Sequence, residues 1–182
     1  MTAGSSRART AITARSPVPL DDIDLALLRE LEQDARASNK ELAARVGVAP
    51  STCHARIRAL VRRGVLRGFH AEVDLDALGR GLQAIVAVRL HAAARARLSG
   101  FARDLSSRHE VRDVYLLGGT EDLLVHVAVE DSAALRAFVV EHLSTRREVA
   151  HTQTSLVFEH LAATPMVAAR DEGRPVRPLA TT

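Results

Sequence analysis

The sequence predicts an α+β chain of two domains: a winged helix-turn-helix at the N-terminus, then a ferredoxin-like βαββαβ domain. Three observations point there. Residues 38–68 read as helix, tight turn, helix and wing. Charge is split along the chain: residues 1–69 hold 12 basic and 7 acidic side chains, a net of +5, whereas residues 70–182 hold 13 and 15, a net of −2. Finally, Leu105-Ser106-Ser107-Arg108-His109-Glu110-Val111 is matched by Leu143-Ser144-Thr145-Arg146-Arg147-Glu148-Val149. Each copy sits where a helical pattern gives way to a strand, as two β-α-β halves of one antiparallel sheet require.

Residues 1–19 contain three Arg and no acid and read as a disordered basic arm that adds phosphate contacts. Leu20 to Asp34 reads as a helix, with Asp21 as its N-cap, Asp22 and Asp24 at the positive end of the dipole, and Ile23, Leu27, Leu28 and Leu31 facing one way. Ser38 and Glu41 have capping-box spacing, so each ties up a free N–H at the start of the next helix. Leu42 and Val46 share one face of it, Gly47 suits its left-handed end, and Pro50 suits the first turn of the helix that follows.

That following helix, about Pro50 to Arg63, has two chemically different sides. At roughly 100° per residue, Cys53, Ile57, Leu60 and Val61 share one of them. Ser51, Ala55, Arg58 and Arg62 lie opposite, with His54 at the edge and Arg56 and Arg63 flanking. From Pro50 to Gly68 there are five Arg and no acid. A solvated helix face ordinarily mixes signs. An apolar back with a small, polar, basic front suits a helix in the major groove of double-stranded DNA. Ser51, Thr52, His54, Ala55, Arg58 and Arg62 form the candidate base-reading side, and Arg56, Arg63 and Arg67, with the N–H groups at the helix N-terminus, the candidate phosphate contacts.

Gly64 to Asp74 reads as the wing and then an extended strand, giving a helix-turn-helix domain over 20–69 and a linker strand over 70–81. The α/β domain is expected over 82–161: strand Gln83 to Leu90, helix Ala94 to Ser107, strands Val111 to Leu117 and Leu123 to Val129, helix Ser132 to Leu143, and strand Val149 to Glu159. Residues 162–182, with three Pro and no periodicity, read as a disordered tail.

Composition narrows the function classes. The 182 residues are 47% hydrophobic but only 3% aromatic, with no Trp, which argues for cores of Ala, Val and Leu and against a base-stacking single-strand binder. Cys53 is the only cysteine, so no internal disulfide forms, and its place on the apolar face makes it a core residue. No apolar run approaches the ~20 residues of a membrane span, and the chain is expected in the cytoplasm. The eight His are scattered, none at ligand spacing from a Cys, Asp or Glu, and no nucleophile motif is present. No enzyme activity, metal or cofactor is expected, and His126, alternating with apolar residues, reads as structural.

From about Leu20 to His160 the chain resembles the Lrp/AsnC (leucine-responsive, feast/famine) transcriptional regulators. The resemblance rests on Leu20-Asp21-Asp22-Ile23-Asp24, Glu41-Leu42-Ala43 with Val46-Gly47-Val48, Pro50-Ser51-Thr52-Cys53, Gly64-Val65-Leu66-Arg67-Gly68-Phe69, and Asp74 with Leu78-Gly79. It implies a C-terminal α/β (RAM) domain that dimerises, with tetramers or octamers beyond that. It also implies a small amino-acid effector bound between dimers near the turn joining the second and third strands. The matching residues are Gly118, Gly119, Glu121 and Asp122, with Thr152 and Thr154 matching a Thr-x-Thr segment on the last strand. Gly118 and Glu121 stand where the family usually has Thr and an aromatic, and Arg147-Glu148 where it has Pro-Gly. On this reading Asp122 accepts from the ligand ammonium and the two Thr donate to its carboxylate. Glu121 adds negative charge and favours a polar or cationic amino acid over a branched apolar one. The alternative is a ligand-independent architectural DNA-binding protein of the same fold.

Overall fold

The computed structural model describes residues 17–161. They fall into two compact units, 17–72 and 73–160. The expected tail 162–182, and the expected basic arm up to residue 16, lie outside the described residues.

The first unit is three helices: α1 (Asp22–Gln33), α2 (Asn39–Val46) and α3 (Pro50–Arg62). Asp21 caps α1 by accepting from the Asp24 N–H at 2.8 Å. The capping box of α2 is complete: Ser38 Oγ accepts from the Glu41 N–H at 3.2 Å, and Glu41 Oε2 accepts from the Ser38 N–H at 2.7 Å. The Ser38 donors hold the Glu41 carboxyl below its usual range. Gly47 ends α2 in the left-handed region, at φ 75°, where a Cβ is disfavoured. Leu27, Leu31, Leu42, Ala43 and Cys53 form the core of this unit.

One expectation fails after α3. In the wing Gly64 turns at φ 70°, and Val65 and Leu66 donate back to the Leu60 carbonyl at 3.0 and 3.2 Å, which brings Leu66 onto the helical core. The linker strand expected over 70–81 does not form. The alternation of Phe69, Ala71 and Val73 reads as extended, but a strand requires a ladder, and none forms here among the described residues. Phe69 and Val73 stay half exposed, and residues 75–80 fold into a turn in which Arg80 N–H donates to Leu75 O at 2.8 Å.

The second unit is a four-stranded antiparallel sheet of β1 (Leu82–Leu90), β2 (Val111–Leu116), β3 (Leu123–Val129) and β4 (Val149–Val157), in the order β2-β3-β1-β4. A 3-10 segment, Ala92–Arg97, leads into α4 (Leu98–Ser106). Helix α5 (Ser132–Val139) continues into a π-helical turn, Val140–Ser144. Alternation along the central strands places Ala84, Val86, Val88 and Leu90 with Leu123, Val125, Val127 and Val129 under the helices, against Phe101, Leu105, Leu135, Phe138 and Leu143.

The repeated segment explains how the halves join. Leu105 and Leu143 are both fully buried, and Arg108 and Arg146 close matching turns onto their carbonyls, each N–H at 3.0 Å. Both guanidinium groups then reach Asp104, Arg108 at 3.4 Å and Arg146 at 2.9 Å. Arg146, which also lies over the Phe101 ring, and Arg108 hold the Asp104 carboxyl below its usual range.

The described helices of this unit all pack on one sheet face. Ile85, Ala87, Leu124 and Val157 are half-buried on the other, with Tyr115 exposed, among Gln83, Arg89 and His126. His126 Nε2 lies 3.0 Å from Gln83 Oε1, and Nδ1 lies 3.7 Å from Asp113. Burial pushes the His126 pKa below its ordinary value; Asp113 opposes this, while Arg112 and His160 add to it. The folded state therefore favours the neutral ring. Below about pH 6.5 the unfolded chain takes the proton first, and stability falls from there down through the lowered folded value. The melting temperature should drop as pH falls below about 6.5, and His126→Gln should remove that component in pH-resolved calorimetry. An unchanged slope in the variant would assign the acid sensitivity elsewhere.

Candidate functional site

On α3, Cys53 and Leu60 are buried and Ile57 is half-buried. Val61, placed by periodicity on the apolar side, is 48% exposed, so the buried stripe is narrower than its apolar pattern. Ser51, Thr52, His54, Ala55, Arg58 and Arg62 are all exposed, as is Arg67 beyond the helix. Ala49 at the N-cap has no side-chain acceptor, so first-turn N–H groups stay available to an outside acceptor. Asn39 Nδ2 donates to Pro50 O at 2.8 Å and ties the start of α2 to the start of α3.

Arg56 and Arg63, expected at phosphates, are held by acids within this unit. Arg56 donates to Asp21 at 2.6 Å and to Asp24 at 2.9 Å. Arg63 reaches Asp24 at 3.4 Å and also donates to the Pro19 carbonyl. Asp24 is only 6% exposed. Buried carboxylates need paired donors, and both of its oxygens find them on α3. The Asp24 N–H and then Arg56 hold the Asp21 pKa down, while Asp21 and Asp24 raise that of Arg56. A signal was present in the sequence. Asp24 sits in helical register with Leu27, Leu28 and Leu31, so it belongs to the buried stripe of α1 as well as to its first turn. By contrast Arg58, Arg62 and Arg67 form no ion pair with any described residue.

The turn after β2 holds a second buried carboxylate. Asp122 is 7% exposed. Its Oδ2 accepts from the Leu90 N–H at 2.8 Å and its Oδ1 lies 3.1 Å from Arg95 Nε. Its own N–H donates to Val88 O at 3.0 Å, and its carbonyl accepts from Leu117 at 2.9 Å. Each oxygen of the carboxylate expected to meet a ligand ammonium thus already has a donor within this unit, one from β1 and one from Arg95.

Gly118 and Gly119 are exposed, and neither lies in the left-handed region, so the turn itself does not demand glycine. A Cβ on either would meet nothing within 4 Å, which leaves open space over the turn. Glu121 is half-buried, and its Oε2 is buried with no hydrogen-bond partner among the described residues. Thr152 pairs with Val88 and Thr154 with Val86, so β1 stands between these threonines and β3 with its turn. Thr152 is half-buried and Thr154 exposed. Sequence reasoning missed an open groove of about 650 Å³ lined by His91, Ala94, Arg97, Arg146, Arg147 and Glu148, none of them a residue of the turn. Its residues come from two chain segments that only the fold brings together. No set of three or more His, Cys, Asp or Glu among the described residues is placed to hold a metal ion. No helix among them is long and apolar enough to cross a membrane.

The AsnC-type helix-turn-helix domain matches residues 20–61, and the Lrp/AsnC ligand binding domain matches residues 83–167. The chain belongs to the Lrp/AsnC family of transcriptional regulators. It is 49% identical over 148 residues to the HTH-type transcriptional regulator AldR of Mycolicibacterium smegmatis, covering 81% of this chain and 86% of that one. A crystal structure of AldR from Mycobacterium tuberculosis superposes with a TM-score of 0.69 at 42% identity, over 80% of this chain and 97% of the other. A transcriptional regulator from Neisseria meningitidis, solved as its L-Met complex, gives 0.73 at 29% identity, over 80% and 94%. In Lrp/AsnC terms, the helix-turn-helix match contains α1, α2 and most of α3, and the ligand-domain match contains the sheet and the Asp122 turn.

Removing the Asp122 carboxylate leaves the buried Leu90 N–H without its acceptor and Arg95 without its ion-pair partner. Asp122→Ala should destabilise the α/β unit by about 2 kcal/mol, read as a lower urea midpoint. Thr120→Ala, on the exposed part of the same turn, should stay within about 0.5 kcal/mol of the parent. Equal midpoints for both would show that the Asp122 contacts contribute nothing to stability.

Proposed function

We propose that this Lrp/AsnC regulator reads double-stranded DNA by laying the exposed face of α3 in the major groove, works as a homodimer, and is modulated by a small amino acid. The observation that carries the first part is the acid-free front of α3, exposed along its length while the back packs into the three-helix core. Arg58 and Arg62 reach base edges. Arg67 and the uncapped N-terminus of α3 hold phosphates. Ser51, Thr52, His54 and Ala55 complete the surface.

The dimer follows from two needs. One recognition helix spans too few base pairs for a specific site, and the sheet face turned away from the described helices carries half-buried Ile85, Ala87, Leu124 and Val157. A second copy meets both, with tetramers or octamers as the family's further step.

The effector reading rests on the ligand-domain match and on the relative solved with L-methionine. The open turn at Gly118-Gly119 admits a ligand, and Glu121 supplies negative charge beside it, favouring a polar or cationic amino acid. Thr152 and Thr154 remain candidate partners for the ligand carboxylate on β4. The committed carboxylate of Asp122 favours the second reading, a ligand-independent architectural DNA-binding protein of the same fold.

Three measurements test these parts. Arg58→Ala should cost roughly 1–3 kcal/mol on a site enriched by in-vitro selection and relax its sequence preference. Equal loss on selected and random duplexes would remove Arg58 from the base-reading set. Light scattering at micromolar protein should give at least a dimer; a concentration-independent monomer contradicts the assembly. Calorimetry should detect arginine or glutamine binding ahead of leucine. Tighter leucine binding reverses the polarity reading, and no heat from any amino acid, with an unmoved melting temperature, leaves the architectural reading standing.

A further inference from the structure

We propose that Asp24 is a specificity-determining positioning residue, which holds Arg56 and Arg63 off the DNA backbone and so lowers attraction to random sequence. The inference rests on the reading of α3 as the DNA-contacting helix. Of the five Arg between Pro50 and Gly68, these two are bound to one carboxylate on α1. Arg56 and Arg63 are seven residues apart, so Asp24 grips α3 at two points two turns from each other and fixes how the helix rolls on α1. Asp21 and the Pro19 carbonyl take further donors of the same two side chains.

The electrostatic consequence is separate from the structural one. Phosphate attraction carries no sequence information, and each phosphate neutralised adds about 0.9 to the slope of log affinity against log salt. Base readout depends on Arg58 and Arg62, which Asp24 does not touch. Specificity is a difference between two affinities. Withholding two cations lowers binding to every sequence alike and so keeps random DNA weakly bound, while the ratio of selected to random sequence is raised by the fixed roll of α3, which keeps the base-reading front aimed.

The test uses the full-length protein and a labelled random-sequence duplex of 30 base pairs, with anisotropy followed over a salt series. Asp24→Asn should release Arg63 and loosen Arg56, which keeps Asp21, and so steepen the slope by about 0.9 and at most about 1.8, with tighter binding at low salt. Arg56→Gln and Arg63→Gln should each leave the slope within about 0.3 of the parent, whereas Arg67→Gln, which removes a phosphate contact, should flatten it by about 0.9. A folded Arg56→Gln or Arg63→Gln protein whose slope flattens by about 0.9 overturns the proposal, because that cation was already on a phosphate. So does a folded Asp24→Asn protein with the parent slope. Should circular dichroism show Asp24→Asn unfolded, the two glutamine variants decide alone. A merely structural Asp24 would move the melting temperature and leave every slope in place. Failure of the underlying reading looks different: the parent protein would show no salt-dependent binding. The clamp would still be visible without DNA, as separate Nη signals for Arg56 and Arg63 in the NMR spectrum, of which those of Arg63 merge in Asp24→Asn.

Discussion

Each unit of this protein is built around one buried aspartate. Taking a carboxylate out of water is costly unless every oxygen finds a donor, so the elements that supply those donors are fixed relative to one another. Asp24 and Asp122 are the buried polar or charged side chains among the described residues. Asp24 draws its donors from Arg56 and Arg63 and thereby locks α3 onto α1. Asp122 draws one from the Leu90 backbone and one from Arg95, and thereby locks the β2–β3 turn to the end of β1 and to the segment that follows. Apolar packing alone would hold these elements together, but it is non-directional. The carboxylates set their orientation.

That constraint sorts charges which look alike in the sequence. The Arg residues around α3 are chemically equivalent on paper, yet Arg56 and Arg63 are tied to acids while Arg58, Arg62 and Arg67 face outward. The first pair sets geometry and the second group is left for a ligand with negative charge. In the α/β unit the same logic moves the candidate ligand contacts away from Asp122. Anything settling over Gly118 and Gly119 meets a turn already anchored to β1, and β1 is hydrogen-bonded on its other side to the strand carrying Thr152 and Thr154. The turn and the threonines are thus joined through one central strand, not through direct contact.

What could be read from the sequence was local. The Ser38–Glu41 box, the left-handed Gly47, Pro50 at the start of α3 and the alternation in β1 and β3 each depend on residues a few positions apart, and each forms where expected. What the sequence left unread was chiefly the partners far along the chain. Arg56 finds Asp24 across 32 positions, and Asp122 finds Leu90 across 32 as well. The stretch around Val73 has the alternation of a strand, but alternation does not supply a second strand to pair with. Asp24 is the instructive case, because its register with Leu27, Leu28 and Leu31 marked it as inward-facing. Capping explained its type so well that its direction went unread.

The internal repeat separates architecture from surface more cleanly than burial does. Leu105 and Leu143, Arg108 and Arg146, and Val111 and Val149 keep both residue type and role in the two halves, and the paired arginines converge on the single carboxylate of Asp104. Positions that keep their chemistry across the pseudo-symmetry are those the sheet and its two helices need. The copies differ conservatively at Ser107 and Thr145, whose hydroxyls both donate to the helix carbonyls before them, and in charge at His109 and Arg147, where both side chains are exposed and the fold makes no demand. Arg147 stands on the wall of the groove that also holds Arg97, whereas His109 sits beside Glu110 at the opposite helix-to-strand junction. The two halves therefore share one skeleton and present different charge to solvent, so a symmetric scaffold can carry an asymmetric surface.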